Sequence, residues 1–294
     1  MSCHVATARA AALSAAFVLL LGSVSRVNAE TTPVVLPPSF QQIDQGPAGG
    51  TVWQGRVPDP SVPKARRLTI IYPPPAVSSA SRYPVVYLLH GFRGSPYEYA
   101  FGLHLAALAD REIDGKAVRP FIAVAPPAGV NGKFHGEWSG AWEDYVVHDI
   151  VPWVDGHLPT VRSRRGRAIA GLSAGGYGAV DIGLRHPELF GTLESWSGYF
   201  KPFRDGSLYD GGPAELAAHD PSLLAQAESG LLHRLGTRSS SRLARPMTMP
   251  VRGEPSTSFA SSLFSGFRTS SCSCPAAMTA PSGASSCRQP SPLH

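Results

Sequence analysis

The stretch Ala168-Ile-Ala170-Gly171-Leu172-Ser173-Ala174-Gly175-Gly176-Tyr177-Gly178-Ala179 restricts the fold more than any other part of the chain. An apolar run enters it, a run of small residues leaves it, and a serine stands between two glycines as Gly-x-Ser-x-Gly. This pattern suits a sharp strand-to-helix turn whose backbone approaches neighbouring strands too closely for side chains at Gly171 and Gly175. Such a turn exposes the Ser173 hydroxyl and aims the N-terminus of the following helix at negative charge developing beside it. Ser173 is therefore the candidate nucleophile, and Gly171 and Gly175 form its elbow.

The sequence around this motif alternates strand and helix signals. Leu68–Tyr72 reads as a strand ended by prolines, and Val85–Leu89 and Phe121–Ala125 as strands buried on both faces. Glu98–Asp110 reads as a helix. Trp142–Leu158 is another, with apolar residues at three- and four-residue spacing and Pro152 as a kink. Gly175–Arg185 is a helix and Thr192–Trp196 a strand. The alternation predicts an α/β fold, a three-layer sandwich around a mostly parallel sheet. The expected division is a signal peptide over 1–29, an extended Pro/Gly/Gln-rich lead-in over 30–61, the α/β domain over 62–238 and a Ser/Pro-rich tail over 239–294.

Strand Val85–Leu89 runs into His90-Gly91-Phe92-Arg93-Gly94. In an enzyme with this elbow, that loop supplies one backbone N–H to the oxyanion and the residue after the nucleophile supplies the other. The expected donors are Phe92 and Ala174. His90 precedes the nucleophile and reads as a structural residue of the loop, not a base. The aromatic residues Trp138, Trp142, Tyr145, Trp196, Tyr199 and Phe200 fit core packing better than a substrate cleft. Glu137, Glu143 and Asp144 fit a solvated helix start better than a carboxylate pair.

Composition bears on compartment and partners. Arg9, the apolar run Ala10–Gly22 and Val27-Asn28-Ala29 have the form of a secretory signal cleaved after Ala29, so export is expected. The run is too short for a stable membrane span. The formal charge of +5 lies at the ends, +2 in Arg9 and Arg26 and +4 in five arginines against Glu254 after Arg238, which leaves −1 for the body, so no basic face for nucleic acid is expected. Cys272, Cys274 and Cys287 match no standard zinc spacing.

Several segments together resemble the esterase D-type family of α/β-hydrolases. They are Leu88-Leu-His-Gly91, Gly136-Glu-Trp138, Tyr145–Asp155, Ala170–Ala179, His186-Pro-Glu-Leu-Phe190 and Trp196-Ser-Gly198. That family includes S-formylglutathione hydrolases, feruloyl and acetyl-xylan esterases and actinobacterial mycolyltransferases. The resemblance implies an α/β-hydrolase fold, no metal or other cofactor, and acyl transfer from a small-molecule or polysaccharide-linked ester through a covalent acyl-enzyme. Hydrolysis is the leading expectation, transfer to a sugar the nearest alternative, and a catalytically dead binding protein the third. The resemblance fails after Arg238. A serine hydrolase of this kind needs an acid and then a histidine after the nucleophile, and the downstream histidines are His186, His219, His233 and His294. His186 belongs to the helix after the elbow, His219 and His233 to cap or surface helices, and His294 ends the sequence.

The composition changes at the same point. Residues 239–294 hold 15 serines and 7 prolines and lack Asp, Tyr, Trp, Lys and Ile, a stretch expected to supply neither strands nor a packed helix. Decoded one base earlier, the tail reads differently. Ser239-Ser-Ser241 permits Phe-Phe-Leu, and each Met-Thr pair, at Met247 and Met278, forces an Asp. Phe267–Ser286 permits Leu-Pro-Tyr-Glu-Leu-Leu-Leu-Val-Pro-Gly-Gly-His-Asp-Gly-Ala-Leu-Trp-Arg-Glu-Leu, which resembles the family's final strand, His-bearing loop and closing helix. The ratio of 22 Arg to 4 Lys suits the GC-rich third bases this reading needs. The expectation is a shifted frame near codon 238, with the C-terminal strand and helix missing and the catalytic acid and histidine lost.

Overall fold

In a computed structural model of the full chain, the residues described are 31–32, 34–62, 68–75, 77–78, 81–129 and 138–242. Ten strands occur among them, in chain order β1 (Thr31–Thr32), β2 (Gln41–Gln45), β3 (Thr51–Gly55), β4 (Thr69–Tyr72), β5 (Val77–Ser78), β6 (Val85–Leu89), β7 (Ile122–Ala125), β8 (Arg167–Leu172), β9 (Thr192–Trp196) and β10 (Arg238–Arg242). β1 and β5 make a small antiparallel ribbon. The other eight form one sheet in the order β10-β9-β8-β6-β7-β4-β3-β2. Neighbours from β10 to β7 are parallel, and those from β7 to β2 antiparallel.

The apolar runs form the centre. Every residue of β6 and β7, and all of β8 but Leu172, is buried, as a parallel sheet covered on both faces requires. Side chains alternate across the sheet. Val85, Tyr87 and Leu89 join one cluster with Val146, Ile150, Val154 and Ile182, while Val86 and Leu88 join another with Tyr99, Leu105 and Leu108. The first layer comes from α2 (Ala141–Asp144), a π-helical turn over Tyr145–Ile150, α3 (Val151–His157) and α4 (Ala174–Arg185), the second from α1 (Leu105–Asp114). Between β9 and β10 lie three short helices, α5 (Pro213–Ala218), α6 (Pro221–Ala227) and α7 (Ser229–Leu235). The three-layer sandwich with a mostly parallel sheet is thus present.

Four expectations are corrected in detail. The lead-in over 30–61 is no loose extension: β2 and β3 pair as a hairpin and add two antiparallel strands to the sheet. A buried carboxylate holds this hairpin down, since Asp110 on α1 accepts from the amides of Ala48 (2.8 Å) and Gly50 (3.1 Å) and from the Tyr72 hydroxyl (3.3 Å). Glu98–Asp110 is no single helix, because a π turn over Glu98–Gly102 ends before His104, whose φ of 50° breaks the chain ahead of α1. The irregularity expected at Pro152 is not the proline's alone: a π turn over Tyr145–Ile150 precedes it, and Pro152 stands in the first turn of α3 just after that turn.

The fourth correction concerns the tail. Residues 239–242 do supply strand, completing β10 in parallel register beside β9. A strand at the end of a sheet needs only backbone pairing on one side, and Ser239 and Ser241 stay exposed. The expectation for the rest of the tail lies outside the described residues, as do the signal peptide and Glu137. Among the described residues no helix is long and apolar enough to cross a membrane.

Candidate active site

Ser173 occupies the single position between the end of β8 and the start of α4, with φ 55° and ψ −116°. A non-glycine residue in this region is strained, and such strain persists only where the surroundings over-determine it. Here the Ser173 amide donates to the Trp196 carbonyl at the end of β9 (2.8 Å), and its carbonyl accepts from the Tyr177 amide in the first turn of α4 (3.0 Å). The glycines are required by contact. A Cβ on Gly175 would lie 1.9 Å from the Leu89 carbonyl oxygen, and one on Gly171 2.3 Å from the Gly175 oxygen. The side chain of Ser173 is exposed while Ala174 and Gly175 behind it are buried.

The loop after β6 adjoins the serine. A Cβ on Gly91 would stand 3.4 Å from the Ser173 Cβ, and Phe92 follows directly, 48% exposed. Four groups fix this loop. The Tyr99 hydroxyl donates to Leu89 O (2.7 Å), the Trp138 indole N–H to His90 O (3.0 Å), and the Gly94 amide to Gly91 O (2.9 Å). His90 is fully buried, and its Nε2 accepts from the Ala128 amide (3.0 Å). The proton must then sit on Nδ1, which donates to Gly91 O (2.9 Å). With both ring nitrogens engaged, His90 is the structural residue the sequence suggested. Phe92, next to Gly91, and Ala174, next to Ser173, are the expected oxyanion donors and belong to two different elements.

The downstream histidines sit elsewhere. His186 ends α4, about 20 Å along the helix from Ser173 at 1.5 Å per residue, and its Nε2 meets Glu143 Oε1 at 2.8 Å. His219, expected in a cap or surface helix, follows α5 and is buried, and its Nδ1 meets Asp181 Oδ2 at 2.8 Å. Asp181 lies eight residues beyond Ser173, about 12 Å along α4. His233 is exposed on α7, and His294 lies outside the described residues.

Glu143 also departs from expectation: it is buried, and Arg185 Nε joins His186 on its Oε1 at 2.8 Å. Burial would push its carboxyl up, but the hydrogen bonds from His186 and Arg185 outweigh this and hold it low. The same contact, with Glu143 as the main cause, raises His186. Burial raises Asp181 despite His219. Glu143, Asp181 and His219 cluster closely enough to hold a metal ion. With Arg185 and His186 already on Glu143, the group reads as an ion-pair network. The core reading of the aromatics holds for Trp138, Tyr145 and Trp196, which are buried, whereas Phe200 is 37% exposed. Nothing in the residue types marked Asp181 and His219 as partners, because they stand 38 positions apart and only the fold brings them together.

The fold and the serine elbow define an α/β-hydrolase. A family model described as "Putative esterase" matches residues 61–242, and the chain belongs to that family of esterases. Similar proteins include Esterase Rv1288 of Mycobacterium tuberculosis, 26% identical over 171 residues, which are 56% of this chain and 36% of that protein. Another is an endo-1,4-beta-xylanase/feruloyl esterase of Xylanibacter ruminicola, 32% identical over 124 residues, 40% of this chain and 17% of that one. The chain thus spans about a third of the length of the first of these relatives. Among solved structures, an S-formylglutathione hydrolase from Agrobacterium tumefaciens shares the fold with a TM-score of 0.53 at 17% identity, covering 77% of this chain and 95% of that one.

Proposed function

We propose that this chain is the nucleophile-bearing part of an exported serine carboxylic-ester hydrolase that works through an acyl-enzyme on Ser173. The observation that carries the reading is the strained Ser173 backbone, an exposed hydroxyl on a turn held by β9 and by glycines that tolerate no side chain. Ser173 Oγ attacks the ester carbonyl, the amides of Phe92 and Ala174 stabilise the oxyanion, and the alcohol leaves with the serine proton. Water then releases the acid and restores the hydroxyl. The substrate is a small-molecule or polysaccharide-linked ester. Export rests on the N-terminal signal pattern.

As encoded, the chain is nearly inactive, since the serine needs a general base to become nucleophilic. His90 has both nitrogens engaged, and His186 and His219 are paired with carboxylates far along α4. A one-base frame change near codon 238 accounts for this loss. In support, β10 runs through Ser239-Ser240-Ser241, where the earlier frame permits Phe-Phe-Leu. Sequencing codons 230–245 from an independent source should return one base more or fewer, and an unbroken frame would refute the frame change.

The mechanism is tested on the frame-restored protein. A p-nitrophenyl ester should give a burst of nitrophenol equal to one enzyme equivalent and an acylated peptide containing Ser173. Rapid hydrolysis with no acyl adduct at Ser173 would overturn the covalent route. An added alcohol that captured most of the acyl group would assign the protein to acyl transfer.

A further inference from the structure

Residues 197–237 leave the sheet beside Ser173 and return at β10, and they are built unlike the rest of the molecule. Helices α5 and α7 bury no residue, and α6 buries only Pro221. Phe203 and Tyr209 are 60% and 67% exposed. Leu208 is buried and Leu224 and Leu232 pack partly against the core, but the excursion has little other apolar burial to keep it down.

A further part of its attachment is polar and comes from one face of the nucleophile helix. Tyr177, Asp181 and Arg185 follow Ser173 at steps of four residues, so all four share a stripe on α4. Each of the three reaches one of two adjacent residues, Ala218 and His219, at the end of α5. The Tyr177 hydroxyl donates to His219 O (2.7 Å), Asp181 Oδ2 meets His219 Nδ1 (2.8 Å), and Arg185 Nη1 donates to Ala218 O (2.9 Å). Arg185 is braced in turn by Glu143. One turn from Ser173, the Tyr177 ring stacks on Tyr199 (centroids 5.0 Å apart, 16° between planes), which meets Phe203 at 4.7 Å. On the other side, Ser207 Oγ lies 2.6 Å from Ser139 Oγ.

We propose that Tyr177, Asp181 and Arg185 form a clasp that holds residues 199–220 as a hinged cover over the nucleophile helix, with His219 as its catch. His219 and Asp181 are then positioning residues that fix where Tyr199 and Phe203 stand against Tyr177, one turn from the serine. The cover's service as a wall of the acyl site rests on the function proposed above, whereas the clasp itself does not. Two of the three contacts grip main-chain oxygens, so the clasp reads the position of the segment rather than its side chains. Asp181 acts here as a hydrogen-bond acceptor in a buried site, so an amide in its place keeps the acceptor without a charge to desolvate.

Amide hydrogen exchange on the full chain at neutral pH tests this without any activity. In His219→Ala, peptides spanning 206–220 should exchange at least tenfold faster, while α4 and β8 keep their protection. Asp181→Asn should stay within about twofold of the wild type, because its amide oxygen still accepts from Nδ1–H. Tyr177→Phe, which removes one hydroxyl, should accelerate the same peptides by a smaller factor. If His219→Ala does not fold, Tyr177→Phe decides the matter. Unchanged exchange over 206–220, acceleration spread equally through α4 and β8, or Asp181→Asn opening as far as His219→Ala would each overturn the clasp. A confirmed clasp with no ester turnover by the frame-restored protein would refute only the functional reading.

Discussion

The elbow and the excursion after β9 meet along one helix, α4, yet they are held by opposite means. The elbow is tight because backbone lies against backbone, with glycines where any side chain would collide and strands buried on both faces. The excursion is joined through hydroxyl, imidazole, carboxylate and guanidinium groups, with few buried apolar side chains. Dense packing responds steeply to a single added methyl group. Polar attachment responds in steps of about 1 kcal/mol per neutral hydrogen bond and somewhat more for charged ones. Position and steepness should therefore go together across the molecule.

The sharpest break falls at Gly175. Alanine there would put its Cβ 1.9 Å from Leu89 O, and neither backbone can yield inside the sheet. Gly175→Ala should cost more than about 4 kcal/mol, in the range reserved for severe core damage, and give no cooperative melting transition. A Tm within a few degrees of the wild type would show that the elbow is looser than its contacts imply.

A smaller effect is expected at Arg164, which ties the excursion's return to the sheet. Its guanidinium donates to Pro187 O (2.6 Å), Leu235 O (2.6 Å), Phe190 O (3.3 Å) and Thr237 Oγ1 (2.7 Å), just ahead of β10. Arg164→Ala should cost about 2–3 kcal/mol by urea unfolding, as expected for several charged hydrogen bonds at a half-exposed site. Exchange protection should fall first over 235–242. Equal loss over β6 and β8 would mean that β10 is integral to the core.

The contrast also explains what the sequence disclosed. The centre was legible because its signals are local: apolar runs for β6, β7 and β8, and a spaced Gly-x-Ser-x-Gly between strand and helix. The β2–β3 hairpin was not, because its anchoring lies with Asp110, about sixty residues away. Glu143 read as solvated because its partners Arg185 and His186 come from the far end of α4. The strand over Ser239–Arg242 contradicted its composition, since polar residues at a sheet end are tolerated by backbone pairing alone. What chain-distant polar pairing decides, residue types do not announce.

The smallest expected effect is a pH dependence at the Glu143–His186 contact. Glu143 raises the His186 pKa, so its stabilisation is full below the ordinary histidine value and fades as pH rises through the raised one. Glu143 is depressed, so its share is present above the ordinary carboxyl value and fades as pH falls through the lowered one. Stability from this pair should peak between the two. Because His186 is half-buried, its share is discounted to below about 1 kcal/mol. Glu143→Gln should flatten the decline in Tm between pH 6 and 8, and an unaltered slope would assign that decline to other groups.

On the function proposed above, Ser173 stands in a competent elbow that lacks only its base. The most direct measurement is hydrolysis of a short p-nitrophenyl ester by the chain as encoded, by the chain with one base inserted or deleted near codon 238, and by the restored chain carrying Ser173→Ala. Near-background turnover is expected in the first and a gain on the order of 10⁴-fold or more in the second. Return to background is predicted in the third. Full turnover by the unrepaired chain that vanishes with Ser173→Ala would contradict the account, because a base would then already be in place.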